Sequence, residues 1–486
     1  VQTTQAGLKQ SFRNLERAMQ QLEAASAVTG RVVGSEELWK TLIFAQFHDF
    51  VPGSSVHEVY DEEVPALDEA AAIATDRAAA LLSGDDGALC FNPHALPMTT
   101  ARIVDGRVET LIVPALATGD WREATVAKVV CSVDGKTLRS DRVEARFSDA
   151  GEIEFLEFDG RPVSICQPLN QLRIYPDHPA NFEAWDIDRQ TVSNPIDPIG
   201  PVKLIKSENT ELEARLEFEV PLTVKSSARF TYVVRCGSPV LHVNYSIDWQ
   251  DQSHLLQALF PTGYSGRDAR FGAPFGSALR PQIETTLGAD AQFEVPASRW
   301  GVVADECERA GLAVIAKDRY GFGCRDGVMH VSLLRSAFVT DARRNPELRA
   351  RDYPHDFSDL GSHNFELALA WGGLDQPRED QPAALADLCY TPAIKAGSTV
   401  PQVIKSISGG ATLIPAWVKP ADDGQGFILR LHETRGQRGD VQFGLADGWC
   451  AFRTSAIEGT STPLEEGVLK FTPHDICSIR ICRVDP

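Results

Sequence analysis

Leu8, Phe12, Leu15, Met19 and Leu22 recur at spacings of four, three, four and three. That period places them on one face of a helix packed against others. Gly30, after Thr29, predicts its end. Ser35, followed by Glu36 and Glu37, predicts the start of a second helix. It would carry Leu38, Trp39, Leu42, Ile43 and Phe47 until Pro52-Gly53 stops it. Ser55 and Glu58 have the spacing of a capping box that opens a third helix. Pro65 should kink that helix or restart it as a first-turn proline. The alanine-rich stretch to Leu82 runs out at Ser83-Gly84-Asp85-Asp86-Gly87, a turn-rich linker. Three helices with short connections predict an antiparallel three-helix bundle over residues 1–83.

After residue 87 the pattern changes to strand-like runs of four to ten residues between turn residues. Examples are Ala124 to Val133, Leu212 to Val220, Phe230 to Val234, Val240 to Ile247, Val328 to Leu334 and Gly426 to Leu431. Short strands with regular turn signals predict sandwiches or barrels rather than βαβ units. The fold class expected is mainly β with an N-terminal α-helical bundle. Roughly 400 β residues exceed one sandwich, so at least two are expected. A small sandwich is placed at 84–136, completed by strands from the tail after about residue 410. A large one is placed at 137–409 and a C-terminal β domain at 410–486. The sequence has no internal repeat and no low-complexity tract.

Composition narrows the function classes. The 486 residues carry a formal net charge of −20, which argues against a general binder of nucleic acid or anionic membrane. No apolar run reaches 18 residues, so no membrane span is expected. The N-terminal stretch is polar and amphipathic, without the apolar core of a signal peptide. The chain begins at Val1, which points to processing or to an absent natural N-terminal part. Ten cysteines are scattered without a CxxC pair, several in strand-like runs such as Ile476-Cys477 and Ile481-Cys482. They read as reduced, buried thiols and fit a reducing, cytoplasmic location.

His48 and Asp49 are the residues that point to chemistry. They stand side by side at the expected C-terminal end of the second helix, just before the Pro-Gly stop. On a helix, adjacent residues point about 100° apart. One can then ligate a metal while the other meets a hydroxyl in the same pocket. From the residue types alone, a pairing with the helix dipole or a surface hydrogen bond remains the commoner use of such a pair.

The wider string reads Ala45-Gln46-Phe47-His48-Asp49-Phe50-Val51-Pro52-Gly53-Ser54-Ser55-Val56-His57-Glu58-Val59-Tyr60. It resembles the glycoside hydrolase family 38 α-mannosidases. Other segments are similar to that family's and come in its order. They include Phe91-Asn92-Pro93, Glu183-Ala184-Trp185-Asp186-Ile187-Asp188, Phe275-Gly276 with Arg280-Pro281, and Val295-Pro296-Ala297-Ser298-Arg299-Trp300. Tyr320-Gly321-Phe322-Gly323-Cys324-Arg325-Asp326-Gly327, leading into Ser332 to Ser336, and Leu429-Arg430-Leu431-His432-Glu433 complete the set. Ala45, Ser298 and His432 depart from the family's usual Asn, His and Tyr.

The resemblance implies a galactose mutarotase-like supersandwich for the large β domain. It also implies a retaining, metal-dependent α-mannosidase that hydrolyses terminal α-linked mannose with two carboxylates. His48 matches the histidine that closes the metal site, with zinc the usual metal and cobalt an alternative. Asp49 matches the aspartate that reaches the substrate's hydroxyls. In the family the other metal ligands, the nucleophile and the acid belong to an N-terminal barrel, whose His-x-Asp signature this sequence lacks. No catalytic residue is therefore assigned within it. One ligand cannot hold a catalytic zinc, so the chain alone is expected to be inactive and to bind no metal at His48. The expected partners are an α-mannoside and the chain's own N-terminal barrel, and a homo-oligomer is compatible with the sequence. The barrel would cover an apolar face around Phe47 and Phe50.

Several other features have plainer readings. His57 reads as a helix-surface histidine. Trp185 with Asp186 and Asp188 suits a sugar site or a buried loop aromatic equally. Asp318-Arg319-Tyr320 and Arg325-Asp326 read as charge pairs of a hairpin. Tyr353-Pro354-His355-Asp356, within the Arg343 to Phe357 stretch, reads as a surface loop. The rival function is a non-catalytic carbohydrate-binding or assembly module. It needs an exposed aromatic platform, for which Trp121, Trp249, Trp371 and Trp449 are candidates against an expected core role.

Overall fold

The computed structural model describes residues 3–127, 131–283, 286–339 and 357–484. Helix α1 spans Ala6–Thr29 and ends at Gly30, whose φ of 65° is the left-handed cap. Leu8, Phe12, Leu15, Met19 and Leu22 are all buried. One face of α1 packs on helix α3 (His57–Leu81), and the strand Leu413–Pro420 packs against it as well. The polar positions of α1 are therefore buried too, among them Lys9, Arg13, Gln20 and Glu23. Each of these finds a partner, as buried polar groups must. Lys9 donates to the Thr4 carbonyl, Arg13 pairs with Glu16, and the Thr391 hydroxyl donates to Gln20 at 3.1 Å.

Helix α2 spans Glu36–Phe44 and stops well before Pro52-Gly53. His48 and Asp49 thus lie on consecutive turns beyond the helix, which corrects the expected helix end. The helix gives out where the Gln46 and Phe47 N–H groups turn to carbonyls three residues back, those of Ile43 and Phe44, each at 3.0 Å. A continuing helix needs the Asp49 carbonyl for the Gly53 N–H. That carbonyl instead accepts the Ser54 N–H at 3.1 Å and the Tyr60 hydroxyl at 3.2 Å. The Gly53 N–H turns back to the Phe50 carbonyl at 2.9 Å.

The capping box of α3 does not form. Val56 is the cap residue, and the Ser55 N–H donates to the Tyr60 hydroxyl at 2.8 Å. Pro65 neither breaks nor restarts α3, which is one helix through that position. Pro65 and Asp61 are exposed, so the carbonyl that the proline leaves unbonded faces water.

The β residues form several antiparallel sheets. A nine-stranded sheet runs Lys203–Thr210, Glu213–Pro221, Ser227–Arg235, Leu241–Trp249, Gly361–Trp371, Gly311–Ala316, Trp300–Ala304, Asp268–Ala273 and Gly276–Pro281. Two five-stranded sheets share its core, in which Phe218, Phe230, Tyr232, Tyr245, Trp249 and Phe260 are buried. Burial alternates strictly along Glu213 to Val220, as a half-buried strand requires. Ser132–Asp134 pairs with Thr137–Arg139, so one hairpin spans the place where the small and large sandwiches were to meet.

The strand Leu89–Phe91 pairs with Thr118–Asp120 and with Ile394–Ala396. Its partner thus comes from upstream of the tail expected to supply it. The tail builds its own sandwich instead. Leu413–Pro420, Phe427–Glu433, Ile476–Arg483, Trp449–Thr454 and Ser461–Pro463 form one sheet, and three further strands form the other. Its core is continuous with that of the helices, joining Phe12 and Leu15 to Leu429, Leu431 and Ile479.

Candidate functional site

A groove of about 1700 Å³ runs between α1, α2, the large sandwich and the C-terminal sandwich. His48 lines it, beside Gln46, Val51 and Pro52. The loop that carries His48 is held by side chains of its own motif. Ser54 donates to the Asp49 carboxylate at 3.1 Å. Tyr60, whose hydroxyl burial pushes upward, pins the loop backbone from α3. Gly53 sits at a φ of 95° against Thr4, and a Cβ there would lie 2.2 Å from the Thr4 hydroxyl. Only glycine allows that approach.

The His48 side chain is 73% exposed and that of Asp49 29%, with Nε2 3.4 Å from Oδ2. The imidazole lies against the Phe47 ring, 4.2 Å between centroids. Among the described residues no group of three or more His, Cys, Asp or Glu converges as metal ligands. One imidazole and one carboxylate do not make the three-ligand site of a catalytic zinc. The described residues around His48 do not by themselves fit such a site.

Around His48 the surface is apolar. Phe47 is 49% exposed, and Val32, Ile43, Phe44 and Val56 are more exposed still. Phe50 is half-buried and packs edge-on against Phe44 and Phe47, at 5.4 Å from each. Phe44, Phe47 and Phe50 thus form one aromatic cluster beside the groove, with two of its rings largely in solvent.

Elsewhere in the groove the lining is charged and buried. Arg13 pairs with Glu16, lies over the Tyr320 ring at 4.9 Å, and donates to the Ser298 hydroxyl at 3.3 Å. Arg299 pairs with Asp387, and Lys317 donates to Asn14 at 2.8 Å. Burial pushes Glu16 up, but Arg13 and Arg299 outweigh it and hold the carboxyl below its usual range. Burial raises Asp387 against the pull of Arg299. Burial, reinforced by Arg17, brings Lys317 down to about 8. His432 is buried with both ring nitrogens unpartnered. Burial and then Arg299 lower it to about 4. Motif residues Ser298, Arg299 and His432 thus meet in this groove, although they are distant in sequence. Sequence reasoning missed the α1 residues. Their signal was a second, polar stripe, Arg13, Glu16, Arg17, Gln20 and Glu23, on the helix face beside the apolar one.

The other candidates fall elsewhere. Arg335 is fully buried, pairs with Asp177 at 2.7 Å, and donates to the carbonyls of Glu183 and Asp186. It supports the Trp185 loop, which does not line the groove. Trp185 is exposed rather than a buried aromatic. Asp318 and Arg319 form a buried pair at 2.9 Å, and His57 is half-buried at the first turn of α3. Tyr353 to Asp356 lie outside the described residues. Trp249 and Trp371 are buried. Trp121 and Trp449 are half-buried under the guanidinium groups of Arg102 and Arg483, at 4.4 Å and 5.6 Å. None of the four offers a bare sugar platform. Among the described residues no helix is long and apolar enough to cross a membrane.

The backbone matches that of an alpha-mannosidase crystal structure from Enterococcus faecalis with a TM-score of 0.73 at 14% identity, over 99% of this chain and 67% of that one. Three family models match in order. They are the alpha mannosidase middle domain at residues 1–82, the glycosyl hydrolases family 38 C-terminal domain at 138–343, and that family's C-terminal beta sandwich domain at 412–479. The chain belongs to glycosyl hydrolase family 38. It is 24% identical to human "Alpha-mannosidase 2C1" over 90% of this chain and 44% of that protein. It is 25% identical to "Alpha-mannosidase" of Saccharomyces cerevisiae over 75% of this chain and 36% of that protein. The chain thus spans less than half the length of the curated relatives it matches.

Proposed function

We propose that this chain is the middle and C-terminal portion of a retaining, metal-dependent α-mannosidase acting on terminal α-linked mannose. The observation that carries the reading is His48 at the mouth of a large groove, with Asp49 beside it and an uncovered apolar patch around both. In this proposal an N-terminal barrel covers that patch and supplies the remaining metal ligands, the nucleophile and the acid. His48 is the ligand this chain contributes, to zinc or cobalt. Asp49 receives hydroxyls of the sugar. The buried charged network of α1 holds the groove in shape. A cytoplasmic location fits the free cysteines.

The test compares this chain with a full-length parent in the hydrolysis of a chromogenic α-mannoside. Metal is supplied in one arm and a chelator in the other. Activity is expected only in the parent, lost on chelation and lost in His48→Ala. Metal-dependent turnover by the 486-residue chain alone would overturn the proposal.

A further inference from the structure

The strands Trp449–Thr454 and Ile476–Arg483 pair antiparallel, with Cys450 directly opposite Cys482. At the same end of the ladder the Val484 N–H donates to the Gly448 carbonyl at 2.9 Å. Antiparallel ladders alternate hydrogen-bonded and non-hydrogen-bonded pairs. Two residues along, Cys450 and Cys482 therefore form a pair of the hydrogen-bonded kind. Such pairs hold their Cα atoms about 5.5 Å apart, inside the roughly 4.4–6.8 Å spanned by disulfides, while their Cβ atoms stand wider than the roughly 3.5–4.5 Å of a disulfide, so the strands must draw together to close the bond. The two sulfurs are already within 3.8 Å of each other. Both residues are half-buried, so a small reagent can reach them. Gly426 backs Cys482 so closely that a Cβ there would lie 2.8 Å from the cysteine Cβ. Cys482 cannot retreat on that side. The closing movement falls to Cys450, the second residue of its strand, where the sheet ends.

We propose that Cys450 and Cys482 are a modification site, a thiol pair that a low-molecular-weight disulfide of the glutathione class converts reversibly to an intrachain disulfide. One cysteine thiolate attacks a sulfur of the reagent, breaks its S–S bond and expels one small thiolate. The other cysteine thiolate then attacks the protein sulfur of the mixed disulfide and expels the second. The protein loses two protons and two electrons, and one small disulfide is reduced to two thiols. The bond ties Ile476–Arg483 to its neighbour. On its other edge that strand pairs with Phe427–Glu433, which presents Arg430 and His432 to the groove. Oxidation therefore stiffens the sheet behind the groove wall. Cys166 and Cys307 are exposed and lie outside the strands, and they stop at the mixed disulfide.

The experiment equilibrates the whole chain in glutathione buffers running from reduced to oxidised. Free thiols are blocked with N-ethylmaleimide, and the protein is mapped by mass spectrometry without reduction. A peptide linking Cys450 to Cys482 is expected to accumulate with oxidation, about 2 Da lighter than its two reduced halves together. It should disappear in dithiothreitol. In Cys450→Ser the link is absent and Cys482 is recovered as a glutathione adduct. Recovery of both wild-type cysteines as alkylated thiols at the oxidised end would overturn the proposal. So would separate glutathione adducts on both, or a link from Cys482 to another cysteine. The wild-type map decides the matter even where a variant fails to fold.

Discussion

Helix α1 and the segment that follows it treat polarity in opposite ways. On α1 charged and amide side chains are buried and partnered. On α2 and the His48 loop, aromatic and branched apolar side chains stand in solvent. The first arrangement draws its partners from within the chain, through Glu16, Thr4, Thr391, Trp39 and Trp417. The second leaves apolar area uncovered, which stabilises a contact with something else. Stability is therefore concentrated on α1, and function is assigned to the α2 side.

The sharpest way to break that contrast is at Glu23. Its carboxylate accepts the Trp39 indole N–H at 2.7 Å, the Ser35 hydroxyl at 3.1 Å and the Trp417 indole N–H at 2.6 Å. One side chain thus fastens α2 and the C-terminal sandwich to α1. Glu23→Ala strands three donors, and bonds to a charged acceptor are the stronger kind. A loss of about 3 kcal/mol is expected in urea unfolding, with Glu23→Gln losing less. A loss below about 1 kcal/mol would mean that water replaces the carboxylate and that α1 is not the anchor.

Gly53 comes next. Gly53→Ala adds a Cβ that collides with the Thr4 hydroxyl and backbone, in a left-handed conformation. The expected cost is about 2 kcal/mol by thermal or urea unfolding. Gly34→Ala is the control, since nothing lies within 4 Å of a Cβ there. Equal effects at the two positions would show that the His48 loop can move away from Thr4.

The periodicity of Leu8 to Leu22 was enough to place α1, and the strand texture was enough to give a mainly β class after the helices, though not where each sandwich begins. Both are local patterns that burial on one face imposes. The end of α2 was not legible. It falls at Phe44, where the Gln46 and Phe47 N–H groups turn to carbonyls three residues back, and nothing in the local sequence marks that change. The source of the strand beside Leu89–Phe91 was hidden for the same reason, because pairing with 394–396 leaves no local trace. Of the candidate site, His48 and Asp49 were singled out through a motif, and the structure places His48 on the groove. The buried partners on α1 were not singled out, because a polar stripe ordinarily faces water.

His432 tests the charged part of the groove through pH. Burial and then Arg299 keep the imidazole neutral in the folded chain down to about pH 4, with Glu433 opposing them, whereas the unfolded side chain titrates near pH 6.5. Between those values the unfolded chain binds the proton more readily. The stabilisation is thus present above about pH 6.5 and is lost as the pH falls toward 4. His432→Tyr removes that titration. The drop in unfolding free energy across this window is expected to be smaller in the variant by about 2 kcal/mol. Parallel pH curves would mean that the imidazole is solvated in the folded chain.

The smallest expected effect is the most informative. Phe12 on α1 and Phe47 beside His48 are the same residue in opposite settings, one 5% exposed and the other 49%. Phe12→Ser opens a hole in the core shared with the C-terminal sandwich, and about 3 kcal/mol is expected to be lost. Phe47→Ser removes a ring that this chain leaves half in water. The chain's stability should change by no more than about 0.5 kcal/mol. In a full-length parent the same substitution should lower α-mannoside turnover, because the proposed barrel would meet a hydroxyl where it needs apolar contact. A large stability loss in the chain alone would place Phe47 in its own core. No change in either protein would leave the patch without the partner assigned to it, and the groove would then have to be completed from another side.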